Sequence, residues 1–596
     1  MRSARPGFLD IVLDPDPDGP PTALRSMMRA WADIPADSTH HLVLEDDAQL
    51  SPGFAEHAER AAAAAPHAAI AFYTNWNARN GAMVRVGVLA GARWVEAVNE
   101  YTPTVALLLP AAVGRGFADY VREHAGSGSD DILMSHYLAA AGVPTYLTVP
   151  NIVQHGAEPS ISGNDGQGQR RAICFAAPSP ETDWSLRHIV EPDVVPYFEL
   201  GVAQCMARAG RHSRWLRRGT EPSMRRLGLD VDLCHREFRE SLPSRADAAA
   251  GPLSEVTLEE IWQAAYVAGA VSRRFDTFPD VDAQIGQWND DPLVREALST
   301  LAPGGLCWRY GSAELTAIQD HVTELACRAA AAGARSARPE RQPPLRRSAT
   351  TPTTHRFVVV GGAGTLRKFL LTELPDRGHR VVTAPSGTGS PSVSLRPLLE
   401  HADAVLHIPD PSSPAGTLQR LTEEARAVGV HRIASLVLPG LGEQPDPGPF
   451  VTTLRLGLLY GPYVTDSLVN DLVRQAAGTR PPVAVRPCLP ERIQLVHVED
   501  LADLLELFAE SDTTSGSLSG SFDVCNPDSP SGAGLWDLVC RTVLRAPAPP
   551  YEDTCPAPPL LSPARTQTEL GWTPSVDLVS GIKHVQHWLA WSSISD

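Results

Sequence analysis

Lysine is almost absent from this chain of 596 residues. Of its 51 basic residues only Lys368 and Lys583 are lysines, and the rest are arginines. Only these two residues could therefore supply a lysine amine to a reaction. Arginine in place of lysine, with abundant alanine and proline, is also typical of a high-GC bacterial genome.

Other absences exclude whole classes of protein. The nine cysteines form no CxxC pair, which indicates reduced thiols and predicts a cytoplasmic location. No run of 18 apolar residues exists, so we expect no membrane span. The N-terminal stretch is too acidic to predict a signal peptide. A net charge of −18 argues against nucleic acid as a partner, because phosphate backbones require a basic face. The oligomeric state cannot be predicted from these features.

Alternating strand-like and helix-like segments fill residues 1–185 and predict an α/β sheet. The predicted strands are 8–13, 40–44, 69–73 and 104–110, and the predicted helices are 22–34, 53–65 and 129–142.

The rest of the chain divides into three further parts. Residues 186–335 show helical periodicity and predict a helical middle domain, and residues 336–354, rich in Pro, Arg, Ser and Thr, predict a linker. Residues 355–596 begin with strand, glycine-rich turn, helix and strand, which is the opening of a dinucleotide-binding, Rossmann-like fold. The predicted fold class is therefore α/β and multidomain.

One strand-like run ends abruptly in acids. In HHLVLEDDA the apolar residues 42–44 are followed by Glu45, Asp46 and Asp47. Buried carboxylates are costly unless they are paired or bound to a cation. The three acids are therefore either a solvated turn or the ligands of a Mg²⁺ or Mn²⁺ ion.

The stretch LVLEDDA resembles the DxD motif of GT-A fold glycosyltransferases. That resemblance implies a nucleotide-sugar donor whose diphosphate is held by Mn²⁺ or Mg²⁺ on Glu45, Asp46 and Asp47. It also implies Asp131, beside Asp130, as the general base of an inverting reaction, and His155 as a late metal ligand. Asp14, after the predicted first strand, is a candidate contact to the base or ribose of the nucleotide. The acceptor would be a small molecule or a peptide.

Each of these residues also has a structural interpretation. The acids at 130 and 131 have the position of a helix N-cap that complements the helix dipole. A single histidine such as His155 is commonly a surface or core residue.

The C-terminal stretches RLGLLYGP, VHVEDLAD and LGWTPSVDLVSGI resemble the extended short-chain dehydrogenase/reductase family, which includes nucleotide-sugar epimerases and dehydratases. That resemblance implies dinucleotide contacts from Gly361, Gly362 and Gly364. Arg367 replaces the third glycine of the turn, where it either crowds the turn or contacts a phosphate of the dinucleotide.

Two further departures weaken the expected chemistry. Ala384 stands where an acid would bind the ribose of NAD, and the family's Tyr-x-x-x-Lys is missing because Gly364 and Val579 lie four residues before the two lysines. We therefore expect a degenerate domain that does not bind NAD or NADP tightly.

The leading hypothesis is a metal-dependent glycosyltransferase with a C-terminal reductase-like pseudoenzyme domain. Two alternatives stay open at this point. One is a nucleotide-sugar epimerase or reductase with an atypical proton relay, and the other is a noncatalytic scaffold that binds a nucleotide sugar.

Overall fold

The computed structural model describes residues 10–19, 22–98, 100–124, 129–156, 168–185, 189–190, 192–208, 215–242, 253–275, 280–337, 354–362, 364–384, 395–409, 416–439, 450–477, 489–511, 520–543, 554–555 and 560–595. Its internal contacts define two compact units: the first comprises Met1–Ala349 with Ser593–Asp596, and the second comprises Thr350–Ser592. The predicted linker, residues 336–354, lies almost entirely outside the described residues.

A mixed six-stranded sheet and two short strands form the first part of unit 1. The strands are β1 (His40–Leu44), β2 (Ala48–Leu50), β3 (Ala69–Ala71), β4 (Trp94–Glu96), β5 (Ala106–Pro110), β6 (Thr145–Thr148), β7 (Val153–His155) and β8 (Ile189–Val190). Their order in the sheet is β1-β5-β3-β6-β4-β8, while β2 and β7 form a separate antiparallel pair. Both β1 and β3 run antiparallel to β5, so their carboxyl ends lie at the same edge of the sheet.

Five helices accompany these strands. They are α1 (Leu24–Ala32), α2 (Phe54–Ala64), α3 (Arg79–Leu89), α4 (Ala111–His124) and α5 (Asp130–Ala140). Strand β1 lies between two cores, because Val43 belongs to one apolar cluster while Leu42 and Leu44 pack against the other. This alternation explains why β1 coincides with its sequence prediction.

The predicted first strand, residues 8–13, is wrong over its described part. Residues 10–13 form no strand, and Ile11 and Leu13 are each 69% exposed. Only α1 precedes β1 among the described residues. The described part of this unit therefore has no strand pair ahead of the acids, where a nucleotide-binding half would be expected.

Residues 186–337 add strands that the sequence analysis did not predict. Besides β8 they contain the antiparallel strands β9 (Val194–Glu199), β10 (Val202–Ala207) and β11 (Leu216–Gly219). The predicted helical character is found after residue 219, in α6 (Thr220–Arg226), α7 (Val231–Ser241), α8 (Glu255–Ser272), α9 (Val281–Asp290), α10 (Pro292–Ser299), α11 (Leu301–Leu306) and α12 (Ser312–Ser336). One apolar core extends from Met27 to Ala334. The division at residue 185 stays a prediction.

Unit 2 is built on a parallel, Rossmann-like sheet, as predicted. The strands are β12 (Arg356–Gly361), β13 (Arg380–Thr383), β14 (Ala404–Ile408), β15 (Ile433–Val437), β16 (Thr452–Leu456), β17 (Leu458–Tyr460), β18 (Leu489–Pro490), β19 (Leu495–His497), β20 (Gly520–Val524) and β21 (Thr554–Cys555). Six of them pair in parallel in the order β13-β12-β14-β15-β16-β20.

The helices of this unit follow the strands in the alternation typical of a doubly wound fold. They are α13 (Thr365–Asp376), α14 (Arg396–Leu399), α15 (Thr417–Ala427), α16 (Leu468–Ala477), α17 (Val498–Glu510), α18 (Gly532–Val543), α19 (Ala564–Glu569) and α20 (Leu578–Ser595). Among the described residues, no helix of the protein combines the length and the hydropathy needed to cross a membrane.

Candidate functional site

Three of the predicted metal ligands come together at the edge of the unit 1 sheet. Candidate ligand atoms of Glu45, Asp47 and His155 all lie within 4.8 Å of one another. We call these three residues the acidic site. Asp46 is exposed and lies outside this group.

Backbone pairing brings these residues together although 108 positions separate Asp47 from His155. Strand β2 pairs with β7 so that Ala48 lies opposite His155, and the N–H of Gly156 donates to the carbonyl of Asp47 at 2.9 Å. On the other side the Glu45 N–H donates to Val105 O at 2.9 Å. The site is therefore fixed by two sheet-like contacts rather than by a free loop.

The hydrogen bond of one ring nitrogen determines the role of His155. Its Nδ1 lies 2.6 Å from the carbonyl of Gly156, which can only accept, so Nδ1 carries the proton. In the neutral ring Nε2 then holds a lone pair, and Nε2 lies 3.3 Å from Asp47 Oδ2. Two lone pairs at this distance repel each other unless a cation lies between them, either a metal ion or a proton on Nε2.

Burial leaves the carboxylates of the acidic site incompletely satisfied. Asp47 Oδ1 is buried and has no hydrogen-bond partner among the described residues. Burial, followed by the charge of Asp130, raises the pKa of Glu45 to about 7, although Thr104 Oγ1 donates to Glu45 Oε1 at 2.9 Å. A divalent cation would satisfy these oxygens, and two carboxylates with one imidazole are a suitable ligand set for Mn²⁺ or Mg²⁺.

The two acids at the start of α5 have different environments. Asp131 Oδ1 accepts hydrogen bonds from the Ser129 hydroxyl and, at 2.8 Å, from the Ile132 N–H, which is a local structural role. Asp130 Oδ2 is buried without a hydrogen-bond partner among the described residues. Burial and the neighbouring Asp131 raise the pKa of Asp130 to about 6.

The structure does not bring Asp14 into this arrangement. The guanidinium of Arg25 donates to both carboxylate oxygens of Asp14, at 2.9 and 2.8 Å, and lowers the pKa of Asp14. The predicted contact between Asp14 and a nucleotide therefore competes with an existing ion pair.

Sequence reasoning missed two residues at the same edge. Tyr73 follows β3, whose carboxyl end lies at the same sheet edge as that of β1, and Thr104 precedes β5, the strand between them. A prediction of the strand directions would have been the signal for both, because neighbouring strand ends bring their flanking residues together.

In unit 2 the predicted glycine turn exists, and an arginine side chain lies across it. Gly361, Gly362 and Gly364 have φ of 82°, 60° and 97°, a region that other residues rarely adopt. Arg367 donates from Nη1 to Gly361 O at 2.8 Å and from Nη2 to Ala384 O at 3.4 Å. The guanidinium therefore bridges the carboxyl ends of β12 and β13, where a dinucleotide would place its ribose.

A second cluster of ligand-type residues lies buried in unit 2. Candidate ligand atoms of His497, Glu499 and His584 lie within 4.8 Å of one another, and all three residues are at most 4% exposed. His497 Nδ1 accepts from the Glu499 N–H at 3.2 Å, which caps α17. In the neutral ring Nε2 must then carry the proton, so His497 lacks the lone pair that a metal ligand needs.

Comparison with known proteins gives structural likeness only. No protein-family model matches the chain, and no curated protein sequence matches it. It is similar to the UDP-N-acetylglucosamine 4-epimerase of Bacillus cereus, with 13% identity, a TM-score of 0.31, and coverage of 39% of this chain and 96% of that chain. It is also similar to MoeE5, solved with UDP-glucose and NAD, with 20% identity, a TM-score of 0.31, and coverage of 40% and 99%. At these values the likeness concerns the fold and says nothing about activity.

Proposed function

We propose that unit 1 is a metal-dependent glycosyltransferase that moves a sugar from a nucleotide-sugar donor to an acceptor hydroxyl. The observation that carries this proposal is the pair formed by His155 Nε2 and Asp47 Oδ2, 3.3 Å apart, with Glu45 beside them. The resemblance of LVLEDDA to the DxD motif supports the choice of a nucleotide-sugar donor.

The residues divide the chemistry between them. Glu45, Asp47 and His155 would hold a divalent cation, which when bound neutralises charge on the diphosphate leaving group. Asp130 would take the proton of the acceptor hydroxyl as its oxygen bonds to the anomeric carbon and the bond to the diphosphate breaks. Its pKa of about 6 leaves Asp130 ionised at neutral pH, with enough basicity for this step. Asp131 is held in its local hydrogen bonds.

The test is release of nucleoside diphosphate by the purified full chain. A panel of UDP-, GDP- and dTDP-sugars is incubated with Mn²⁺, with Mg²⁺ and with EDTA. The proposal expects release from at least one donor that depends on the metal and is lost in Asp47→Ala. Release that is equal in EDTA, or that is unchanged in Asp47→Ala, would refute it.

A second candidate function places nucleotide-sugar binding in unit 2, as an atypical epimerase or as a scaffold. The parallel sheet with its glycine turn at the end of β12 supports this candidate. Against it, Arg367 lies across the turn and the chain has no Tyr-x-x-x-Lys. Interconversion or binding of a nucleotide sugar that is insensitive to EDTA and to Asp47→Ala would favour this candidate over the first.

A further inference from the structure

A short extended segment, residues 168–172, runs beside the acidic site. Trp76 holds it in place, since Trp76 Nε1 donates to Gln169 O and the Trp76 N–H donates to Arg171 O, both at 2.7 Å. Gln154 Oε1 accepts from the N–H of His155 at 3.0 Å and from that of Ala172 at 2.6 Å. One amide oxygen therefore joins this segment to a residue of the acidic site.

The two arginines of this segment have different surroundings. Arg171 is exposed, and its guanidinium lies over the Trp76 ring, 5.7 Å from the ring centre. Arg170 is half-buried, and among the described residues it forms no ion pair. Successive side chains of an extended segment point to opposite sides, so with Arg171 over the Trp76 ring the Arg170 side chain lies on the side of Glu45 and Tyr73, both of which its positive charge reaches.

Tyr73 presents a second group that the structure leaves unused. It is 3% exposed, its ring lies 5.7 Å from that of His155, and its hydroxyl has no hydrogen-bond partner among the described residues. Burial raises the pKa of this hydroxyl, and the charges of Glu45 and Asp47 act in the same direction. A buried O–H group without an acceptor is costly, so this hydroxyl is available to an acceptor that enters the site.

We propose that Arg170 and Tyr73 form the anion-binding side of the acidic site and contact the diphosphate of the donor. This inference rests on the proposed function. A divalent cation balances the two negative charges of Glu45 and Asp47 and leaves no net positive charge for the diphosphate. A guanidinium that donates two parallel hydrogen bonds to phosphate oxygens supplies the missing positive charge.

The test measures binding of Mn²⁺ alone, and then of methylenediphosphonate in saturating Mn²⁺, by calorimetry on the full chain. Arg170→Gln is compared with Arg171→Gln, which makes the same change one residue away on the exposed side. We expect Mn²⁺ affinity to persist in both variants and diphosphonate affinity to fall roughly 10- to 100-fold in Arg170→Gln alone. Tyr73→Phe should lower diphosphonate affinity by about 5-fold, the typical contribution of one neutral hydrogen bond.

The outcomes separate this inference from the proposed function. A wild-type chain that binds no Mn²⁺ overturns the proposed function. A wild-type chain that binds both probes, with Arg170→Gln and Arg171→Gln indistinguishable, overturns only the inference. Loss of Mn²⁺ binding in Arg170→Gln would also overturn it, because Arg170 would then support the metal ligands. If Arg170→Gln does not fold, Arg170→Lys against Arg171→Lys decides, since lysine keeps the charge and loses the two-pronged contact.

Discussion

His155 and His497 each lie beside carboxylates, and the backbone holds the two rings in opposite ways. In unit 1, Nδ1 of His155 donates to Gly156 O, which leaves Nε2 free to bind a cation. In unit 2, Nδ1 of His497 accepts from the Glu499 N–H, which commits Nε2 to carrying a proton. Both clusters contain suitable residue types within 4.8 Å. The difference shows that the partner of the second ring nitrogen, rather than the presence of histidine and glutamate, decides whether a cluster can hold a metal.

The two strand ends that the sequence analysis singled out differ in the same sense. After β1 the turn leaves Asp47 Oδ1 buried without a hydrogen-bond partner among the described residues. After β12 the glycine turn receives Arg367, which satisfies Gly361 O and Ala384 O from within the chain. Among the described residues, the turn in unit 1 therefore presents a carboxylate oxygen without a partner, whereas the turn in unit 2 is filled by its own side chain.

The largest expected effect comes from Asp47→Ala. Removing one ligand of the acidic site should abolish Mn²⁺ binding and lower transfer by roughly 10³-fold or more. Stability should change little, because the lost carboxylate has a buried oxygen without a partner. Calorimetric titration with Mn²⁺ and the diphosphate-release assay measure both effects.

Asp46→Ala is the matched control, since Asp46 is an exposed neighbour outside the ligand group. Equal losses of Mn²⁺ binding and transfer in Asp46→Ala and Asp47→Ala would contradict the assignment of Asp47, rather than Asp46, to the acidic site.

A smaller effect is expected from Asp130→Asn. Loss of the general base should lower turnover by roughly 10²-fold while donor binding is kept. Asp131→Asn should instead cost about 1 kcal/mol of stability, because it weakens the hydrogen bonds at the start of α5, and it should change turnover far less. Single-turnover rates with saturating donor distinguish the two. A larger loss of turnover in Asp131→Asn would return the role of base to the residue that sequence resemblance favoured.

Strand prediction succeeded where an apolar run had partners and failed where it had none. Residues 40–44 alternate between two cores and form β1 as predicted, whereas Ile11 and Leu13 are exposed in a segment that has no strand neighbour within the described part of the chain. Local sequence contains the apolar pattern but not the partner that makes it a strand. The hairpin of β9 and β10 was missed because its turn residues Leu200 and Gly201 both have positive φ, and leucine is an unusual residue there.

The composition of the acidic site was predictable, but its geometry was not. The acids after β1 and the later His155 could be chosen from residue type and order. Their contact depends on the pairing of β2 with β7, across more than 100 residues, and the tautomer of His155 depends on one backbone carbonyl. Arg367 was predicted to crowd the glycine turn, and its hydrogen bonds to Gly361 O and Ala384 O agree with that expectation.

The next prediction concerns this arginine. We expect the wild-type chain to show no low-micromolar binding of NAD(H) or NADP(H). Arg367→Gly restores the third glycine of the turn and removes the guanidinium from the ribose position, so dinucleotide affinity should rise by about 10-fold, the equivalent of one charged hydrogen bond. Lys368→Gly places the same glycine one position further along α13, on an exposed residue, and should leave affinity unchanged. Tight dinucleotide binding by the wild type, or equal dinucleotide affinities in all three chains, would contradict the view that Arg367 occupies the dinucleotide position in unit 2.

The smallest effect concerns a third histidine, His235, which two neighbouring carboxylates hold in its protonated form. His235 in unit 1 has carboxylates at both ring nitrogens, Glu259 at 2.6 Å from Nδ1 and Glu221 at 3.5 Å from Nε2. These two partners raise its pKa to about 9, so the folded protein holds an imidazolium. A pKa raised above the unfolded value of about 6.5 stabilises the fold below pH 6.5, and that stabilisation is lost as pH rises towards 9. Since the His235 ring is partly exposed, we expect the imidazolium to contribute about 1 kcal/mol to the free energy of unfolding. Urea unfolding at pH 6 and pH 9.5 should therefore show a larger loss of stability for the wild type than for His235→Gln, in which no group titrates at this position. Equal pH dependence in the two chains would show that His235 is neutral. His235 would then no longer differ from His155, the candidate metal ligand, and His497, the helix cap, by being a cation.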